Sequence, residues 1–175
     1  MKSGIVFAWL AILSVRAAGH ELAGRAVAGD RRQDFDRSAF YSVMASGNTE
    51  EIDRELNLAG ASSIMEKEAY EGALLMKKAG LAAKPADKLK FFKAGRIKLE
   101  TSLIKDSTNG EYHFLRLTIQ EHAPRIVKYA ADLEKDSQYI HKTFKNLSPV
   151  VRQAIIDYSK HSKILRPEDF TQKNA

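Results

Sequence analysis

The chain of 175 residues is 44% apolar and 29% charged, carries a formal charge of +6 and contains no cysteine. That composition belongs to about one folded domain, not to a disordered or collagen-like chain. It excludes disulfide scaffolds, thiolate metal sites, cysteine nucleophiles and the lipid-modified cysteine of a bacterial lipoprotein.

Lys2 precedes an apolar run from Ile5 to Val15. As a helix this run spans about 16 Å at ~1.5 Å per residue, whereas a bilayer core needs about 20 residues. It is too short for an ordinary membrane span and suits the apolar region of a secretory signal. Small residues place cleavage after Ala17 or Gly19, so residues 1–19 read as a signal peptide. A buried N-terminal helix is the alternative, weakened by Gly19, Gly24 and Gly29, which follow at once. Loss of Lys2 and Arg16 leaves the mature chain at +4. No later stretch is long enough to span a membrane, and the expected location is the periplasm or the exterior.

Residues 20–35 are rich in Gly, Ala and Arg without a period and read as a flexible tail. Residues 36–165 read as one all-helical domain, followed by a C-terminal tail, 166–175. The first helix, 37–45, ends at Gly47, suited to a left-handed cap. Asn48 caps a second helix, with Glu51 at the capping-box position and Gly60 as its stop. Ser63 and Glu66 spell another capping box, which opens a helix through Lys78 with Met65, Ala69, Ala73 and Met76 on its inner face. The small Gly72 and Ala73 allow a neighbouring helix to come close.

Pro85 suits the first turn of a long helix reaching about Lys105. Leu89, Phe92, Leu99 and Leu103 share one face of it, and Ile97 and Ile104 form a second apolar edge. After a turn at 106–110, a helix over 111–123 is apolar nearly all round and belongs at the centre. Pro124 restarts the chain into a helix of about twenty residues, from Ile126 to Phe144, bent where Asp136 and Ser137 interrupt its stripe. Ser148 and Pro149 open the last helix, which runs to about Lys160, and Ile164, Leu165 and Phe170 can pin the tail to the body. No segment alternates as a strand does. About seven helices joined by short turns predict an irregular stack of antiparallel helical hairpins. The expected core comprises Leu89, Phe92, Leu99, Leu103, Tyr112, Leu115, Ile119, Leu133, Ile140 and Ile155.

Residues 94–118, with Asp106 and Asn109 in the turn, resemble the junction between two tetratricopeptide repeats, although Ser107 stands where that family usually has proline. Residues 40–61 similarly resemble the paired helices of one ankyrin repeat. The segments KEAYEGALLMKKAG, LSPVVRQAIIDYSK and LRPEDF are similar to those of a group of uncharacterised exported bacterial helical proteins. The tetratricopeptide resemblance implies a scaffold that binds other proteins; fold alone does not assign an activity.

Catalytic patterns are scarce. The histidines at 20, 113, 122, 141 and 161 include no pair spaced to share a helical face, so no metal site is expected. Ser102 to Lys105 spells S-x-x-K, without the partner motifs that penicillin-recognising enzymes need. Glu50, Glu51, Asp53 and Glu55 read as a solvated helix start, with a hydrolase pair as the sharper alternative. Between Lys77 and Lys105 stand nine basic residues against Asp87 and Glu100. They serve either solubility or an anionic partner of the envelope. Arg96 falls within an apolar sector and Arg116 borders one, so each must snorkel, meet a carboxylate or line an anion pocket.

The expectation is therefore an exported, non-enzymatic scaffold that binds a protein partner in the bacterial envelope, with no cofactor and no nucleic acid. The alternatives are a binder of an anionic small ligand or polymer through Lys88, Lys93, Arg96 and Arg116, and an envelope hydrolase with a convergent carboxylate site.

Overall fold

The computed structural model describes residues 34–171; the expected signal peptide and most of the tail after it lie outside them. Among the described residues there are eight α-helices and no strand. They are α1 (Arg37–Ser46), α2 (Thr49–Ala61), α3 (Lys67–Leu81), α4 (Pro85–Lys105), α5 (Gly110–His122), α6 (Leu133–Thr143), α7 (Pro149–Ser159) and the single turn α8 (Glu168–Thr171).

Local chemistry accounts for most helix starts. Asp36, Asn48, Asn109 and Ser148 each accept a backbone N–H of the first turn, so donors that the helix cannot satisfy are paired. Pro85 and Pro149 occupy first-turn positions where no N–H is needed. Gly47 takes φ 72° after α1, a conformation that a residue with a Cβ resists.

Hairpin pairing then sets the architecture. Asp53 of α2 reaches Lys78 near the end of α3, and Lys98 of α4 meets Glu71 of α3 at 2.6 Å, so α2, α3 and α4 alternate in direction. Helices α3 and α4 nearly touch through their backbones. A Cβ placed on Gly95 would lie 2.5 Å from the Gly72 carbonyl oxygen, and one on Gly72 would lie 2.8 Å from the Leu99 nitrogen. Only glycine at both positions permits this approach, because real Cβ atoms do not come under 3.0 Å. Helix α5 is the hub. It sends Tyr112, Leu115 and Ile119 into one apolar cluster with α1–α4, and Phe114 and Leu117 into a second with α6, α7 and the C-terminal segment. Phe35 packs at 4.7 Å from the Tyr70 ring, and Leu165 and Phe170 are buried, so the packed body extends beyond residues 36–165 at both ends.

Four sequence expectations require correction. Leu89, expected in the core, is 51% exposed. Met65, expected on an inner face, is 94% exposed. Helix α3 begins only at Lys67, and the Glu66 carboxylate, expected to cap it, instead accepts Arg37 Nη2 at 2.7 Å. The long helix from Ile126 is absent: a 3-10 turn at Arg125–Val127 leads to Lys128 at φ 48°. That turn delivers Tyr129 to the first core, edge-on to Phe92 at 5.5 Å, before α6 begins. Burial of an aromatic ring outweighs the cost of one left-handed lysine.

Candidate functional site

The polar groups that the helices bury gather on α5 in two networks. On one side, Glu111 Oε1 accepts the hydroxyls of Tyr41 at 2.8 Å and Tyr70 at 2.7 Å. Arg37 Nε donates to the Tyr70 oxygen at 2.5 Å. Burial pushes Glu111 above the usual carboxylate range; hydrogen bonds from the two tyrosines and the Arg37 charge oppose it, and Glu66 adds to it. Burial, and then the Glu111 charge, push both tyrosines well above the usual phenol range.

On the other side, α6 supplies Asp136, which is fully buried. Arg116 grips it side-on: Nη2 donates to Oδ1 at 2.6 Å and Nε to Oδ2 at 2.8 Å. Arg116 Nη1 donates to Glu100 Oε2 at 3.0 Å, and Tyr129 donates to Glu100 Oε1 at 2.6 Å. Burial and the hydrogen bond to Glu100 push Tyr129 well up. His113 Nδ1 lies 2.6 Å from Asp136 Oδ1, Nε2 lies 2.9 Å from the Ser107 carbonyl oxygen, and Tyr139 stacks on the ring at 4.2 Å. An Asp–His pair is a familiar acid–base unit, but here the second ring nitrogen is occupied by the backbone, leaving none for a substrate.

Two small hollows adjoin this network. One, of about 240 Å³, lies between Leu103, Ile104 and the Glu100–Arg116 pair, with Lys135 at its edge. The other, of about 130 Å³, is bounded by Arg96, Lys128, Tyr129 and Asp132.

The four basic residues singled out from the sequence part company here. Arg116 is committed to the internal ion pair. Arg96 is exposed and places its guanidinium 5.0 Å from the centre of the Tyr129 ring, a cation–π contact. Lys88 and Lys93 are exposed and leave α4 about 140° apart, at ~100° per residue. The four do not line one pocket. Elsewhere on the basic stretch, Lys78, Lys98 and Lys105 are paired with Asp53, Glu71 and Glu68. Ser102 of the S-x-x-K spelling is buried and donates to the Lys98 carbonyl at 3.0 Å. The acidic start of α2 disperses: Asp53 holds Lys78, Glu51 accepts Ser46, and Glu55 is buried with Oε1 unpartnered among the described residues. The described residues contain no cluster of three side chains suited to a metal ion.

What sequence reasoning missed is Asp136, read as a break in an apolar stripe. Its signal was there, since a carboxylate flanked by Leu133 and Ile140 on one face calls for a buried cation, and a carboxylate partner was one of the three outcomes open to Arg116. The second feature lies outside. Leu89, Ile97 and Ile104 are 51%, 67% and 82% exposed along one edge of α4. Comparison with protein-family models, with curated proteins and with solved structures yields no match for this chain.

Proposed function

We propose that this protein is a non-enzymatic interaction module of the bacterial envelope and that its contact surface is the outer edge of α4. The observation that carries the reading is the row Leu89, Ile97 and Ile104, left in solvent by the longest helix while its other face is locked onto α3. Keeping a row of large apolar side chains in water forfeits roughly 1.5–3 kcal/mol for each that could be buried. Exposed apolar side chains gathered along one helix edge, here interleaved with Lys93 and Glu100, suit an interaction site. The leader-like Ile5–Val15 run supports export, and the resemblance to helical-hairpin scaffolds supports protein binding. The test compares envelope proteins retained by the immobilised chain and by its Ile97→Asp/Ile104→Asp variant. Specific retention should vanish in the variant; an identical set on both would overturn the reading.

A second reading, contact with an anionic polymer, is favoured by Lys84, Lys88, Lys90 and Lys93, which have no ion-pair partner among the described residues. It predicts binding that weakens steeply with salt, while the apolar edge predicts binding that persists.

A further inference from the structure

The exposed edge of α4 has an order that specifies its own partner. Along it stand Leu89, Lys93, Ile97, Glu100 and Ile104, at successive spacings of 4, 4, 3 and 4 residues. These spacings keep all five within an 80° sector of a helix turning ~100° per residue. Laid against a second copy of itself running the other way, with a two-fold axis beside Ile97, the row becomes self-complementary. Leu89 meets Ile104 of the second copy, Lys93 meets its Glu100, and Ile97 meets Ile97 to within one residue of register. We infer that the protein forms an antiparallel two-fold dimer through this face. The inference rests on the reading of α4 as the contact surface and names its occupant.

Charge argues for the same direction. On the row itself the N-terminal half of α4 presents Lys93, without an ion partner among the described residues, whereas Lys98 and Lys105 in the C-terminal half are held by Glu71 and Glu68 of α3. Antiparallel pairing sets Lys93 of one copy over Glu100 of the other, which keeps 30% of its side chain in solvent while Arg116 and Tyr129 hold it from within. Parallel pairing would put Lys93 on Lys93, and like charges directly opposed are destabilising. The 240 Å³ hollow beside Leu103 and Ile104, lined otherwise by polar and charged side chains, lies at the end of α4 where this register sets the second copy's Leu89. A two-fold axis also closes the assembly and leaves no edge for further addition. The contact is one helix wide, so it belongs to the small, weak class of interfaces and a micromolar dissociation constant is expected.

The chain has no cysteine, so single cysteines report the register directly. The test takes the full-length chain, expressed with its leader and purified after export. Its mass is followed by sedimentation equilibrium from nanomolar to high micromolar concentration. Cross-linking of Ile97→Cys, Leu89→Cys and Ile104→Cys is followed under mild oxidation, with circular dichroism confirming that each variant is folded. A concentration-dependent doubling of mass is expected. It should weaken at least tenfold in Lys93→Glu and be lost in Ile97→Asp. Ile97→Cys should cross-link to itself, and Leu89→Cys should cross-link efficiently only when mixed with Ile104→Cys. Leu89→Cys linking to itself as readily as Ile97→Cys would overturn the antiparallel register. A monomer at every concentration would overturn the dimer; if Ile97→Asp then still lost an envelope partner, the proposed function would stand without it. Loss of both would remove both readings.

Discussion

The two buried polar networks on α5 solve one problem in different ways. At Asp136 the carboxylate meets a guanidinium side-on, and both oxygens take N–H donors at 2.6 and 2.8 Å. At Glu111 the nearest guanidinium atom stands 3.8 Å away, and two tyrosine hydroxyls carry the hydrogen bonds instead. Neutral donors satisfy one oxygen, Oε1, but supply no countercharge, and burial moves the Glu111 carboxyl upward. The Asp136 site fixes how α5, α6 and α4 sit, since Arg116 of α5 holds an acid from each of two helices, Asp136 of α6 and Glu100 of α4. The Glu111 site ties α1 and α3 to α5 through neutral hydroxyl donors, with the Arg37 charge at 3.8 Å. Glu55 continues the series to a carboxylate with one oxygen unpartnered among the described residues.

Removing the centre of the stronger network should have the largest effect. Asp136→Ala leaves His113 buried without its acid and strips the two shortest bonds from Arg116, which keeps Glu100 and Asp132, and should cost about 3–5 kcal/mol in urea unfolding. Against a total of roughly 5–15 kcal/mol, that brings the fold close to its limit. An Arg116→Met/Asp136→Leu pair should recover most of the loss; failure to recover would mean that packing, not the unpaired charge, carries the cost.

The α3–α4 contact should respond next. Gly95→Ala drives a Cβ against the Gly72 carbonyl and should cost about 1–3 kcal/mol, read as a lower melting temperature. The same change at Gly80, where an added Cβ meets nothing within 4 Å, should not destabilise and tests whether the effect is contact or glycine content.

Glu55 sharpens the comparison in the opposite direction. Burial raises its carboxyl above the usual value; Arg54 pulls it down and Asp36 pushes it up. A raised folded-state value means that this group costs nothing below the unfolded value of 4.5, and that stability is lost as pH rises through the folded value. Glu55→Gln should therefore stabilise the protein at pH 7 by about 1 kcal/mol, roughly 2–4 °C in Tm. The gain should fade as pH drops below the usual carboxylate range. A gain independent of pH would show that the charge is not the cause.

The smallest effect belongs on the outer edge of α4. Leu89→Ala or Ile104→Ala should change monomer stability by less than about 0.5 kcal/mol. Leu99→Ala on the inner face, where the side chain is fully buried, should cost about 2–5 kcal/mol. Equal costs on the two faces would mean that the outer row is covered within the chain.

How much was legible in advance depends on the range of the interaction. Caps act within four residues, so Asn48, Pro85 and Ser148–Pro149 marked helix starts correctly. Apolar period identified α5 as the hub and Leu99, Leu103, Leu115, Ile140 and Ile155 as core. The same period put Leu99 and Leu103 inward and left Ile97 and Ile104 out of the core, as the structure has them, but it placed Leu89 inward too, and Leu89 is half exposed at the border of the two edges. Of the site, Arg116 was visible as a cation out of place on its face, with an acid as one of its possible answers, but its partner twenty residues away was not. Nor was the left-handed Lys128, which no glycine or asparagine announces and which only the burial of Tyr129 explains.

By itself, then, the sequence determined an all-helical class, most helix starts and the central helix, because capping hydrogen bonds and apolar period are local and repeat with the helix itself. The tertiary structure decided that Leu89 of α4 stays in water, which acid answers Arg116 and where the long helix breaks. Those outcomes depend on side chains far apart in the chain competing for the same buried space, and no local pattern records who wins that competition.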